Sequence, residues 1–252
     1  MIYPVLLCAV ASASTVLGGV MVAFIKNMTP GLLAVFQGFA AGVMITISVV
    51  EMLPHSLSEF TYIMGMNGLY AVYAVVLLFI CGWLAGIAIA AAADRLCRLD
   101  GTNNCTGRIS FITTAVMVLH NLPEGMVTIF SGMEDAQMAL GMALAVALHN
   151  IPEGVVVASS AMAVTNSVYS SMVRCFVAGF SEFAGGVIAA FIFRSMVNGA
   201  FVAAVYCAVS GVMMQVSLCE LIPCGRKLSC TGHTAAGIAV GAVVIYLGLQ
   251  LI

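Results

Sequence analysis

Two copies of one hexapeptide, His120-Asn121-Leu122-Pro123-Glu124-Gly125 and His149-Asn150-Ile151-Pro152-Glu153-Gly154, each lie inside a long apolar run. Ionisable side chains are costly in apolar surroundings and are retained there for function. On a helix, residues four apart share a face, so His120 stacks with Glu124 and His149 with Glu153. An imidazole nitrogen beside a carboxylate is a metal-ligand pair.

The prolines add to this chemistry. Pro123 and Pro152 cannot donate to the helix ladder, and their rings push away the carbonyl four residues back, freeing Leu119 O and Leu148 O beside the ligands. Such a break is tolerated in lipid only where loose backbone is buried in protein or lines a wet cavity. Gly125 and Gly154 let another helix approach closely. A single copy would read equally well as a kinked helix with a satisfied buried histidine. Two copies with His, Asn and Glu at the same offsets leave little room for that reading.

The acids inside apolar segments are Glu51, Glu124, Glu153, Glu182 and Glu220, accompanied by His120 and His149, with no Lys or Arg at comparable depth. Carboxylates without a countercharge must hold protons, face water or be neutralised by a bound cation. The missing charge is therefore expected to be a cargo. Imidazole suits zinc, copper, iron and nickel, carboxylate and amide oxygens also accept manganese and iron, and no Cys at the motifs selects copper(I). Asn follows His in both copies. This suggests a binuclear site, bridged by Glu124 and Glu153, with the histidines on one ion and Asn121 and Asn150 on the other. Glu182, within Phe180-Ser181-Glu182-Phe183, is the expected carboxylate of a third helix. Glu51 and Glu220, each followed three residues later by proline, stand between a role along the ion path and an interfacial position. Met44 reads as packing rather than as a soft ligand. His55 reads as an interfacial histidine, with ion collection at the outer mouth as its other role.

The elements that must position these groups follow from composition. The chain has 252 residues, 63% hydrophobic and 7% charged, against roughly one-quarter charged in a soluble domain. A span needs about 20 apolar residues, and strand-like alternation is absent. The sequence therefore predicts an all-α membrane protein, one polytopic domain over residues 1–252. Its eight transmembrane helices are expected over residues 2–25, 32–57, 69–93, 109–130, 136–164, 172–193, 200–222 and 234–252, with no cleavable signal peptide. Cytoplasmic loops carry the Lys/Arg excess. With both termini extracytoplasmic, Lys26, Arg95, Arg98, Arg108, Arg174, Arg226 and Lys227 face the cytoplasm and only Arg194 faces out. Glu51-Met52-Leu53-Pro54 recurs as Glu220-Leu221-Ile222-Pro223 on an antiparallel span. With the twin hexapeptides this predicts an inverted repeat of three spans, a central pair and three spans. Of nine cysteines, Cys97, Cys105, Cys224 and Cys230 are placed in connecting loops. With His233 they could form a cytoplasmic acceptor, but unligated thiols are the expectation.

These residues resemble a family. The His-Asn-x-Pro-Glu-Gly motif on spans 4 and 5, eight spans and outside termini are similar to the ZIP (Zrt-, Irt-like) divalent metal transporters. Glu51-Met-Leu-Pro, Ser181-Glu182 and Glu220-Leu-Ile-Pro are most similar to its GufA/ZupT-like branch. The resemblance implies uptake of zinc, with iron, manganese and cadmium as further cargo, into the cytoplasm. It implies a metal site of His120, Asn121, Glu124, His149, Asn150, Glu153 and Glu182, with Glu51 as a branch-specific contributor. It also implies a homodimer working by alternating access in a lipid bilayer, with the plasma membrane the first expectation and an organelle membrane the second. No separate cofactor and no nucleic-acid partner are expected. The loop between spans 3 and 4, residues 94–108, lacks the histidines many relatives carry there.

Two other readings compete. An intramembrane zinc metalloenzyme would use His and Glu to activate water, but no His-Glu-x-x-His pattern is present, and duplicated ligands do not shape one substrate pocket. A metal-selective channel is the nearer rival.

Overall fold

The second and seventh rods of the molecule begin with the same capping chemistry. Thr29 Oγ1 accepts the Leu32 amide at 3.2 Å with Pro30 in the first turn. Asn198 Oδ1 accepts the Phe201 amide at 2.9 Å. Both side chains satisfy amides that a helix N-terminus leaves without intrahelical partners.

The computed structural model describes residues 2–24, 29–63, 65–99, 105–134, 136–193 and 198–250. Among them every regular element is helical. In order they are α1 (Ile2–Phe24), α2 (Pro30–Ile47), α3 (Leu53–Ser58), α4 (Gly68–Leu99), α5 (Cys105–Glu134), α6 (Ala136–Thr165), α7 (Val168–Phe193), α8 (Gly199–Val216), α9 (Ile222–Leu228) and α10 (Thr231–Gln250). Single π-helical turns, Ser48–Met52 and Ser217–Leu221, join α2 to α3 and α8 to α9 into continuous rods; a third, Glu59–Ile63, extends α3.

Several rods run further than the sequence suggested: α4 to 99 rather than 93 and α5 over 105–134 rather than 109–130, which puts Cys97 and Cys105 on helices and not in a loop, and two others to 63 rather than 57 and to 228 rather than 222. For the last two the reason lies in the π turns. Leu53 N–H reaches back to Ser48 O and Ile222 N–H to Ser217 O, five residues away. The wider turn brings Pro54 and Pro223 into the first turn of a new helix, where a missing amide hydrogen costs little. Cys224 therefore lies within α9 and not in a loop.

Among the described residues, seven rods are long and apolar enough to cross a membrane. α5 is not among them; its apolar character is diluted by His120, Asn121, Pro123 and Glu124. The most apolar stretch of α6 is 72% buried inside the protein and that of α4 only 11%. Hence α6 is central and α4 peripheral, its apolar face left for surroundings as apolar as itself.

Packing follows a pairwise rule. α1 lies on α6, α5 on α7, α2 on α10 and α4 on α8. In each pair the contacts advance in the same direction along both chains. Gly38 meets Thr234 and Gly42 meets Ile238, while Gly82 meets Ala208 and Gly86 meets Gln215. The partners therefore run parallel, and glycine lets their backbones touch. If span 1 is matched to span 6, 2 to 7, 3 to 8 and 4 to 5, each pairing maps onto another, as an inverted repeat requires.

The side chains of Lys26, Arg98, Arg108, Arg194, Cys97 and Cys105 lie outside the described part, so they do not enter the charge or thiol arguments below.

Candidate functional site

Each hexapeptide sits in the middle of a long helix, and its two small-side-chain positions decide its neighbours. A Cβ at Gly125 would collide with the Glu182 carbonyl of α7, and one at Gly154 with the Thr15 carbonyl of α1. The asparagines complete the same two seams. Asn121 Nδ2 donates to Ala178 O at 3.1 Å, and Asn150 Nδ2 donates to Ala11 O at 3.1 Å. Two equal hydrogen bonds, two equal glycine contacts and two internal prolines show that the motifs are built as a related pair.

The sequence missed one consequence. Ala11, Ser14, Thr15 and Gly18 on α1 match Ala178, Ser181, Glu182 and Gly185 on α7 in spacing. Ser14 Oγ donates to Ala11 O at 2.5 Å and Ser181 Oγ to Ala178 O at 2.6 Å. Thr15 thus holds in one half the place that Glu182 holds in the other. Its Oγ1 is buried without a hydrogen-bond partner. The echo Ala-x-x-Ser-Thr against Ala-x-x-Ser-Glu was available in the chain but carries no ionisable signal on the α1 side.

Between the halves the polar groups converge. His149 Nε2 contacts Glu124 Oε1 across the α5–α6 interface, while His149 Nδ1 lies 3.1 Å from Ala145 O, which orients the ring. Asn150 Nδ2 also donates to Glu182 Oε2 at 2.7 Å. Asn121, Glu124, His149, Asn150, Glu153 and Glu182 are each at most 2% exposed. Both Glu153 oxygens, Glu124 Oε2, Glu182 Oε1, Asn121 Oδ1 and Asn150 Oδ1 have no hydrogen-bond partner. Buried oxygens in native proteins are otherwise almost always paired. Buried acceptors that find no donor among the described residues suit a cation.

The other expected ligands are placed differently. His120 lies on α5 one turn before Glu124, but its side chain is outside the described part. Glu51 stands half-buried in the Ser48–Met52 turn and does not line the cavity formed by Glu124 and His149. Among the described residues, no three His, Cys, Asp or Glu groups are gathered at metal-ligand spacing. What the structure brings into contact is the His149–Glu124 pair, and next to His149 in the chain Asn150 is hydrogen-bonded to Glu182. Met44 is fully buried and accepts Ser217 Oγ at 3.4 Å, so it packs as expected. His55 packs its ring on Tyr206, centroids 5.3 Å apart. Glu59, four residues beyond His55 and only 7% exposed, is a further buried acid, without a continuous apolar flank that would mark it in the chain.

Access to the two sides of this centre differs. Following α5 past Glu124, the space beside His149 is a cavity of about 10 Å³ closed by Ile47, Met52, Val127, Met142 and Met213. Before Glu124, past Met117 and Thr113, a cavity of about 270 Å³ reaches to Gln37, Glu220 and Cys224. The first is too tight and too apolar for more than about one water, and the second holds several.

Comparison with known proteins places this arrangement. The chain is 32% identical over 252 residues to the zinc transporter ZupT of Escherichia fergusonii, covering 99% of this chain and 96% of that protein. Zinc transporters ZupT of Escherichia coli O1:K1 / APEC and of Escherichia coli O9:H4 match at the same identity and coverage. No family model matches the chain.

Proposed function

The chain belongs to the ZIP (Zrt-, Irt-like) family of metal transporters, on its ZupT-like branch, and from that premise we infer that it is an integral, multi-pass membrane transporter of divalent metal cations, zinc foremost. It is a carrier of ions and not an enzyme. Iron and manganese are proposed as secondary cargo, since oxygens dominate the acceptor set, and cadmium as a zinc-like competitor at the His149 nitrogen.

We place the cargo between α5, α6 and α7. His149 and Glu124 are the first pair, Glu153 and Glu182 add carboxylates, and the Asn121 and Asn150 carbonyl oxygens complete the set. His120 and Glu51 are proposed contributors, Glu51 from the rod that borders the centre. The observation that carries this reading is the set of buried oxygens without donors. Their repulsion is relieved by a dication, since no Lys or Arg lines the cavity beside His149. Two ions bridged by Glu124 and Glu153 are proposed over one, because each half supplies its own His-Asn-Glu set.

The rods are proposed to cross the bilayer eight times. α5 counts as a span despite its polar middle, because that middle is buried among other helices and not in lipid. Arg95, Arg174, Arg226 and Lys227 lie at rod ends that this count puts on one side. The positive-inside rule makes that side cytoplasmic and both termini extracytoplasmic. A homodimer is proposed to use the lipid-exposed rods, with the α5–α6 unit moving against the others in alternating access. The apolar closure at Met52, Val127 and Met142 favours a carrier over a channel, since an open pore needs a continuous wet path.

The test is uptake by the purified protein in liposomes, with zinc as cargo and iron, manganese and cadmium as competitors. Saturable zinc uptake, inhibited by the other cations in graded order, supports the proposal. Flux that rises linearly with zinc concentration supports a channel.

A further inference from the structure

Tyr206 is a large, fully buried side chain of α8, and its hydroxyl meets the Ser131 hydroxyl of α5 at 2.6 Å. The Ser131 proton goes to Val127 O, also at 2.6 Å, so Tyr206 is the donor between the two helices. Ser131 lies one turn past Val127, which helps to close the small cavity beside His149. The bond therefore ties α5 to α8 on the closed side of the centre.

The inverted repeat assigns each member of this contact a counterpart. Tyr206 and Gln37 each stand eleven residues before the matched π turns that begin at Ser217 and Ser48. In the same register His55 corresponds to Cys224. The contacts match as well: the Tyr206 ring packs on His55 with centroids 5.3 Å apart, and Gln37 Nε2 donates to Cys224 Sγ at 3.8 Å. In the twin motifs Ser131 and Ser160 each lie seven residues beyond the glutamate, Glu124 or Glu153. The counterpart of the Tyr206–Ser131 bond is thus a bond between Gln37 and Ser160. That bond is not made in this structure. Gln37 Oε1 is buried without a partner, and the Ser160 hydroxyl turns back on its own helix, to Val157 O at 2.9 Å. An orphaned buried oxygen costs free energy, and here the repeat points to the group that satisfies it.

We propose that the two pairs are alternating latches: when the centre opens to the extracytoplasmic side, Tyr206 releases Ser131 and Gln37 takes Ser160, so that one hydrogen bond closes each mouth in turn. This rests on the transport reading above. Gln37 stands on the wall of the cavity of about 270 Å³, and Ser160 lies in the last turns of α6, at the same end of the molecule. Their meeting narrows that mouth. Ser160 makes the bond by turning its proton from Val157 O to Gln37 Oε1. Exchanging one bond for one bond keeps the two states close in free energy, and only states close in free energy are both populated.

The test reads how often the closed side opens. Met142 lines the small closed cavity. A membrane-impermeant maleimide, added from the extracytoplasmic side of liposomes, reaches Met142→Cys only when that side is open, and mass spectrometry reads this position apart from the native thiols. In the Met142→Cys background, Tyr206→Phe keeps the ring on His55 and loses the outer latch. Its alkylation is expected to rise about 2–10-fold, the worth of one hydrogen bond. Ser160→Ala loses the inner latch and is expected to slow alkylation by a similar factor. Added to Gln37→Leu, Ser160→Ala is expected to change nothing further, because the pair acts as a unit. Should Met142→Cys fail to fold, Val146→Cys from the same lining takes its place. An unaltered rate in Ser160→Ala, a change of the same sign in Tyr206→Phe and Ser160→Ala, or a full further effect of Ser160→Ala in Gln37→Leu overturns the latches. Absence of zinc uptake by wild-type liposomes would instead overturn the transport reading, so the two failures are separable.

Discussion

Glu182 Oε2 accepts a 2.7 Å hydrogen bond from Asn150 Nδ2, and through it α7, whose main partner is α5, also holds the hexapeptide on α6. The same Asn150 amide donates to Ala11 O on α1. One buried amide therefore ties three helices, and its carbonyl oxygen is left buried without a donor among the described residues. Glu182 is thus held by the motif as well as adding charge to it.

A first prediction separates those two roles. Glu182→Gln keeps an acceptor for Asn150 while removing the charge, so the protein should fold with near wild-type thermal stability and bind zinc about 10–100-fold more weakly, the size of effect seen when a group beside a metal is lost. Calorimetric titration with zinc checks the affinity. Wild-type affinity in Glu182→Gln would remove the carboxylate charge from the site.

The match of Thr15 to Glu182 gives a second. If the halves are equivalent, moving the carboxylate from α7 to α1 should preserve much of its effect. The double variant Thr15→Glu/Glu182→Thr is expected to bind zinc more tightly than Glu182→Thr alone, in the same titration. Equal affinities would mean that the two seams differ in more than this side chain.

The third concerns the close approach that makes the centre. A methyl at Gly125 meets the Glu182 backbone, which cannot swing away as a side-chain tip can. Overpacking of this kind costs about 1–3 kcal/mol, so Gly125→Ala and Gly154→Ala should each lower the midpoint of thermal unfolding in detergent. Gly68→Ala, with nothing within 4 Å of the added carbon, is the control expected to stay at the wild-type value.

A fourth follows from proton competition. Metal ligands must be deprotonated to bind, so cation binding releases protons and weakens as pH falls. Zinc affinity measured across the neutral to acidic range should decline towards acid, with proton release detectable in weakly buffered solution. Affinity independent of pH would contradict a site built on His149 and carboxylates.

Much of this architecture was legible in the sequence because its signals are local. Apolar length marks the rods, and the hexapeptide repeats with all its chemistry intact. Glycine after glutamate marked a close helix approach, which the structure makes against the backbone of Glu182 and Thr15. The parts that were not legible depend on geometry the chain does not spell out. A π turn leaves no compositional mark, so nothing in the chain shows that the rods holding Pro54 and Pro223 continue past proline or that Cys224 lies on a helix. Thr15 carries no charge and so escaped a search for ionisable groups. Glu59 lies near a span end, where an acid is ordinarily solvated, and only the packing of its neighbours reveals its burial.

The central claim is that the cation moves through the buried acceptors of the twin motifs. Its most direct test is zinc uptake by liposomes containing wild-type protein or Glu124→Ala at matched protein content. The account predicts saturable uptake by the wild type and a loss of at least about 100-fold in Glu124→Ala, more than loss of a merely supporting group produces. Uptake by Glu124→Ala equal to that of the wild type would contradict it.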